Sequence, residues 1–379
     1  MENLELTHIN SLFDLSDFDL APGVIHLAAS GESPFLRQHM QAFTDYSIDK
    51  GRGWPGRLAQ EERVESARSR AARIFGVPRE EIGFVSNVAE GMSILSESIN
   101  WRVGDNVCID AVDFPSVVLP FGRSKKLSVE LRIAEGDDPC RFSAIVESNT
   151  RVIAVSSVSY LTGERHDLGL VRKLADSSGA ILAVDFSQSA GVLPTSASIA
   201  DFAFSACYKF LLGCTGVAIA YWNRERQPDW APSTAGWYSV ELSQQHPDYR
   251  LFAPLKGDAS RFSRGNVSYP SIYVLDRALE YLSTVSETVI SKQVSILADT
   301  FLAGLGSLNI EPMTPRVRSR RGPSICFASR EAQDLVCRLG DRSVVAFNGG
   351  GRVRVSFHGY NNSTDVSKAI GILGEEWRG

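Results

Sequence analysis

Residues 181–222, ILAVDFSQSAGVLPTSASIADFAFSACYKFLLGCTGVAIAYW, set one carboxylate and one amine at the ends of two apolar runs. The first run ends at Asp185 and the second just before Lys209, with Gly213 and Gly216 following. A lysine amine can condense with an aldehyde and afterwards carry protons. A carboxylate beside a pyridine nitrogen keeps that nitrogen protonated, so that the ring draws electrons. On opposite sides of one ring, these are the two groups that pyridoxal 5′-phosphate (PLP) chemistry requires. The phosphate of such a cofactor wants backbone N–H groups at a helix start. The segment SNVAEG at 86–91 offers one directly after an apolar run. Singly, each feature has a plainer explanation: an Asp that caps a turn, a surface Lys, an Asn that only begins a helix. Their order and setting favour the cofactor.

The elements that must position these groups are short and regular. Strands are expected at 82–86, 106–110, 129–133, 151–156, 181–185, 201–205 and 216–221, with helices at 60–75, 92–100 and 168–178. Strands separated by helices point to a parallel or mixed α/β sheet covered on both faces, with ligands at the carboxyl ends of its strands. Beyond about residue 270 the pattern changes. One long helix is expected from 271 to about 304, then a strand at 324–328, a helix near 331–339 and a strand at 353–357. A last helix runs from Thr364, capped around Ser363/Thr364–Asp365. The chain thus divides into a large α/β domain over 20–265 and a smaller α+β domain made of 1–19 and 266–379. No internal repeat or low-complexity linker is present.

With 44% hydrophobic and 22% charged residues among 379, the composition is that of a globular protein. The net charge of −5 argues against nucleic-acid partners and anionic membrane surfaces, which need clustered positive charge. Arg316, Arg318, Arg320 and Arg321 stand among Ser and Pro and read as a solvated loop. No apolar run is long enough to cross a membrane, and the acidic first twenty residues lack a secretory pattern, so a cytoplasmic location is expected. Six cysteines without a CxxC pair and six scattered histidines point to reduced, mostly buried thiols and to no metal site.

The motifs VDFSQSAG and CYKFLLGCTG, flanked by HLAASGESP at 26–34 and RVSFHGYNN at 354–362, resemble the class V aminotransferase group of fold-type I PLP enzymes. That group includes cysteine desulfurases, selenocysteine lyases, kynureninases and isopenicillin N epimerase-like proteins. The resemblance covers nearly the whole chain. It implies a mainly parallel seven-stranded sheet sandwiched by helices, with Lys209 forming the Schiff base and Asp185 pairing with the ring nitrogen. Gln188 would meet the ring's phenolic oxygen, and Phe114 in DFPS would stack on its face. The backbone N–H groups of Val88 and Ala89, with the Tyr208 hydroxyl, would hold the phosphate. Arg354 would grip the substrate α-carboxylate, as a bidentate guanidinium does well, with Arg352 as the competing candidate. Trp237 in AGWYS and Asn266 in RFSRGN match positions that a neighbouring subunit often supplies, which implies a homodimer with shared sites.

Two departures bear on the reaction. Desulfurases commonly place Ser or Thr where this chain has Ala206. They also carry a nucleophilic Cys on the loop that corresponds to SVVAFNGGG (343–351), which has none. Cys337 lies upstream in an expected helix and reads as a buried structural thiol, and Cys207 and Cys214 receive no role. A persulfide-forming desulfurase is therefore disfavoured. The leading expectation is a lyase acting on a free α-amino acid, by β-elimination or Cα–Cβ cleavage; the alternative is an aminotransferase. An epimerase would need a second proton donor, for which Tyr160, Tyr238 and His358 are the candidates. A non-catalytic binding module fits less well, because Lys209, Asp185 and Arg354 are all present. GRGWPGR (51–57) is expected to form a Gly-rich loop, with Arg52 and Arg57 near the site.

Overall fold

A computed structural model describes residues 9–122, 129–242 and 253–378. Its centre is a seven-stranded sheet in the order Ile82–Val85, Ala218–Trp222, Phe202–Ala206, Ile181–Asp185, Thr150–Ser156, Asn106–Asp110, Glu130–Ala134. Ala218–Trp222 runs antiparallel to both neighbours, and every other pair is parallel. The inner strands Ile181–Asp185, Phe202–Ala206 and Ala218–Trp222 are buried throughout, which explains why they read as unbroken apolar runs. Their side chains alternate between two cores: Leu182 and Val184 join one, Ile181 and Ala183 the other. The edge strand Glu130–Ala134 is half-exposed and carries Glu130 and Arg132, charges that discourage further strand pairing. The expected α/β sandwich is the architecture found.

The C-terminal unit holds a three-stranded antiparallel sheet in the order Phe347–Gly349, Arg352–Ser356, Ser324–Ala328. Helices Glu287–Ser307, Ala332–Asp341 and Ser363–Glu376 accompany it. Near the N-terminus, Ile25–His26 pairs with Val344–Val345. Val158, Arg165 and Glu164 follow the Thr150–Ser156 strand, and Glu164 forms a bridge to Arg321. These links tie the C-terminal sheet to the carboxyl edge of the large one.

Several expectations need correction. The single helix over 271–304 is two helices, Tyr269–Leu282 and Glu287–Ser307. Ser283 and Thr284 turn their hydroxyls back onto the carbonyls of Glu280 and Tyr281, and Ser286 caps the second helix. The last helix is capped one residue earlier than expected, by Asn362 in a capping box with Asp365. The stretch 51–57 is not a loop: Gln38–Gly51 and Trp54–Phe75 are helices, separated by Arg52 and Gly53 alone. Gly56 sits where a Cβ would lie 1.6 Å from the Asp49 carbonyl oxygen, so only glycine permits that close turn.

The arginine quartet is not wholly a solvated loop: Arg316 and Arg318 are exposed as expected, but the others are engaged. Arg321 is buried against Asp299, Arg318 meets the same carboxylate, and Arg320 pairs with Glu164. Nor are the thiols mostly buried: Cys108, Cys207 and Cys326 are, whereas Cys140 and Cys337 are exposed. No described helix is long and apolar enough to cross a membrane.

Candidate active site

Lys209 lies in the turn that follows the Phe202–Ala206 strand, 7% exposed. Its Nζ is 5.3 Å from the centre of the Phe114 ring and 5.6 Å from that of Tyr208. Asp185 closes the adjacent strand. Its Oδ1 accepts hydrogen bonds from the Ser187 N–H at 2.8 Å and the Ser187 hydroxyl at 2.6 Å. The Ser187 oxygen in turn accepts from the Ala206 N–H at 2.8 Å, which ties the carboxylate to the strand leading to Lys209. Among the described residues nothing bonds Asp185 Oδ2. A cavity of about 310 Å³ is lined by Asp185, Lys209, Phe114, Tyr208, Asn87 and Val88. A second hollow of about 210 Å³ shares Lys209, Phe114 and Tyr208 and adds Gln188, Tyr160, Arg352 and Arg354. The amine therefore stands between two hollows.

Charge sharpens this arrangement. Burial lowers the Lys209 pKa to about 8, against the pull of Asp185 and Glu32, and Arg354 pushes it further down. Burial raises the Asp185 pKa, while Lys209 and the Ser187 hydrogen bonds draw it back. A cationic ring nitrogen at Oδ2 would act in the same direction. Arg354 is lowered to about 10, again chiefly by burial, with Arg352 adding repulsion. Burial also raises the Tyr208 hydroxyl, so it stays a donor.

Helix Val88–Ser98 begins beside the cavity. Asn87 caps it by accepting the Glu90 N–H at 2.9 Å, and Glu90 receives the Ser86 N–H at 2.6 Å. The Val88 and Ala89 N–H groups come first in the helix and have no carbonyl one turn back, so they are donors for an anion. Val88 lines the cavity. The Ala89 side chain faces a different hollow with Pro115 and Leu119, leaving its N–H as its contribution. The residues fit PLP: an amine, a carboxylate oxygen without a partner, an aromatic face and a helix start surround one space.

Not every expected residue gathers there. Gln188 lines the second hollow and donates from Nε2 to the Ser30 carbonyl at 3.0 Å. Trp237, 51% exposed, and Asn266 border neither hollow. Asn266 accepts from Arg57 Nη2 at 2.7 Å, and the Arg57 guanidinium lies 5.7 Å from the Trp237 ring. Asn266 borders a neighbouring hollow that shares Ser86, Gly216 and Val217 with the Lys209 cavity. Arg52 is paired with Asp49. Of the three candidate proton donors only Tyr160 lines a hollow. The Tyr238 hydroxyl is bound to Glu61 at 2.7 Å, and His358 is buried against the Phe210 carbonyl. No cysteine lines either hollow.

Sequence reasoning missed Ser187, Thr215 and Ser116, all on the cavity wall. Ser187 and Thr215 lie inside the two quoted motifs and Ser116 inside DFPS. Hydroxyls bracketing the Asp, the Lys and the Phe were the available signal.

A buried lysine between a strand-end aspartate and a helix start, on the carboxyl edge of a mainly parallel sheet, defines a fold-type I PLP enzyme. The chain matches the family described as Aminotransferase class-V over residues 34–368, and it belongs to that family. It is 25% identical to a probable cysteine desulfurase of Methanothermobacter thermautotrophicus, over 90% of each chain. It is also 26% identical to a kynureninase of Pseudomonas fluorescens, over 63% of this chain and 59% of that one. Among solved structures, the apo cysteine desulfurase from Thermococcus onnurineus NA1 superposes with a TM-score of 0.84 at 23% identity, covering 95% of this chain and 96% of that one. Family, fold class and cofactor agree with the expectations from sequence.

Proposed function

We propose that this chain is a PLP-dependent lyase acting on a free α-amino acid, by β-elimination or Cα–Cβ cleavage. The observation that carries the reading is one hollow onto which both the Lys209 amine and the Arg354 guanidinium open. PLP, when bound, supplies an electron sink for negative charge at the amino acid's Cα. Arg354 holds the α-carboxylate by paired hydrogen bonds. Phe114 covers one face of the ring, and Asp185 Oδ2 keeps the ring nitrogen protonated. Val88 and Ala89 bind the phosphate through their N–H groups, with the Tyr208 hydroxyl as a further donor, and Gln188 serves the phenolic oxygen. Lys209, whose pKa burial lowers to about 8, takes the proton at Cα and returns it.

The working unit in this proposal is a homodimer in which Trp237 and Asn266 of one subunit complete the site of the other. The large domain spans 20–265 and the small one 1–19 with 266–379, so that substrate lies between Lys209 of one and Arg354 of the other. The free cysteines suit a reducing cytoplasm. The test is an amino-acid panel with the PLP-loaded enzyme, with and without a keto-acid acceptor, following release of ammonia and keto acid for β-elimination and of the shortened amino acid for Cα–Cβ cleavage. Release without acceptor is expected. Strict dependence on the acceptor would make the enzyme an aminotransferase.

A further inference from the structure

Arg354 shares its hollow with a second arginine. Arg352 precedes it by two positions on the Arg352–Ser356 strand, so both side chains leave the same face. Both line the hollow, and they are 1% and 3% exposed. The Tyr160 carbonyl accepts from Arg352 Nη2 at 2.6 Å and from Arg354 Nη1 at 2.7 Å, which holds the two guanidiniums side by side.

What sets this pair apart is the lack of a counterion. The other buried arginines each meet a carboxylate: Arg68 has Asp258, Arg141 has Asp110 and Glu164, Arg172 has Asp201, and Arg321 has Asp299. Among the described residues, neither Arg352 nor Arg354 forms an ion pair, and the Nε of each has no hydrogen-bond partner. The Cys326 thiol stands on the strand paired with theirs, opposite Arg354, and burial holds that thiol protonated. A buried charge without a counterion is costly, and among the described buried arginines only these two carry that cost.

The surroundings also preserve access to Arg352. Its Nη1 donates to the Gly349 carbonyl, within the turn Gly349–Gly350–Gly351, where all three residues have positive φ. A Cβ at Gly350 would lie 3.3 Å from Arg352 Nη1 and also 3.3 Å from Leu161, so side chains are kept off the guanidinium. Two carbonyls fix the group in place and leave its remaining N–H donors for a ligand, since a guanidinium has five.

One α-carboxylate compensates one guanidinium. We propose that Arg352 reads a second anionic group, so that the substrate is an α-amino acid bearing a side-chain carboxylate or an equally charged oxyanion. The inference rests on the reading of Arg354 as the α-carboxylate site.

Two measurements on the PLP-loaded protein test it. In the first, calorimetry compares succinate and glutarate with butyrate. The dicarboxylates should bind at least about tenfold tighter. In R352Q that preference should vanish, with butyrate affinity within about threefold of wild type. Equal affinities in the wild-type protein overturn the proposal without needing a variant. Equal weakening of both acid classes by R352Q also overturns it, since Arg352 would then share the α-carboxylate. In the second, the cofactor absorbance is followed as aspartate, glutamate, asparagine, glutamine and alanine are added. A response to all of them alike sinks this inference alone. A response to none sinks the underlying function.

Discussion

An amine must be neutral to add to an aldehyde, and burial makes Lys209 neutral at a lower pH than an exposed lysine. Cofactor uptake by the apo protein should therefore rise through pH about 8. Asp185 holds that value up, so D185N should move the midpoint lower; a rise centred near the ordinary lysine value would count against the assignment. The same shift acts on folding. Between pH about 8 and 10.5 the unfolded chain keeps a proton on this lysine that the folded apo protein has lost, so stability from this group increases as pH rises through the window. K209M should remove that part of the pH dependence of Tm. At this scale the gathering of Lys209, Asp185 and Arg354 around two adjoining hollows was legible, because the motifs place all three at strand ends or on a strand that faces one space. Ser187 was not. Its role depends on a turn that brings its hydroxyl between Asp185 and the Ala206 N–H, a contact that spacing does not encode. Arg352 was visible only as a rival to Arg354, because a shared carbonyl and a missing counterion are features of packing.

Helix Val88–Ser98 has to lie close to the sheet to point its first N–H groups into the cavity. Gly91 makes that approach possible, since a Cβ there would stand 2.4 Å from the Phe204 ring. G91A should push the helix outward, lowering stability by about 1–3 kcal/mol and weakening PLP binding in a fluorescence titration. Unchanged cofactor affinity would mean that the helix start does not hold the phosphate. N87A, which removes the cap, should cost about 1 kcal/mol in denaturant unfolding. The strands were readable because fully buried strands are unbroken apolar runs. The helices were harder. Gln38–Gly51 buries only His39 and Ala42, too little for an apolar stripe. Over 271–304 the apolar pattern continues across a break made by Ser and Thr hydroxyls, whose competition with the helix shows only in structure.

Trp54, one turn before Arg57 on the same helix, and Trp237, against the Arg57 guanidinium, are 72% and 51% exposed, with Met40 and Ile48 also bare on the preceding helix. Large exposed apolar side chains mark interaction surfaces, in keeping with the proposed homodimer. Sedimentation should give twice the mass of the 41.4 kDa chain. If Trp237 serves the partner's site, W237A should lose cofactor affinity, and mixing it with inactive K209A should restore part of the activity through hybrid dimers. A monomer at working concentration, or no restoration on mixing, would place each site within one chain. Lys209 is shared by the hollow that holds Asp185 and the hollow that holds Arg354. The most direct measurement is borohydride reduction of the holoenzyme followed by peptide mass mapping. A phosphopyridoxyl group should appear on the peptide carrying Lys209 and be absent from K209A. Its attachment to any other lysine, or its absence from the reduced wild-type protein, would contradict the assignment.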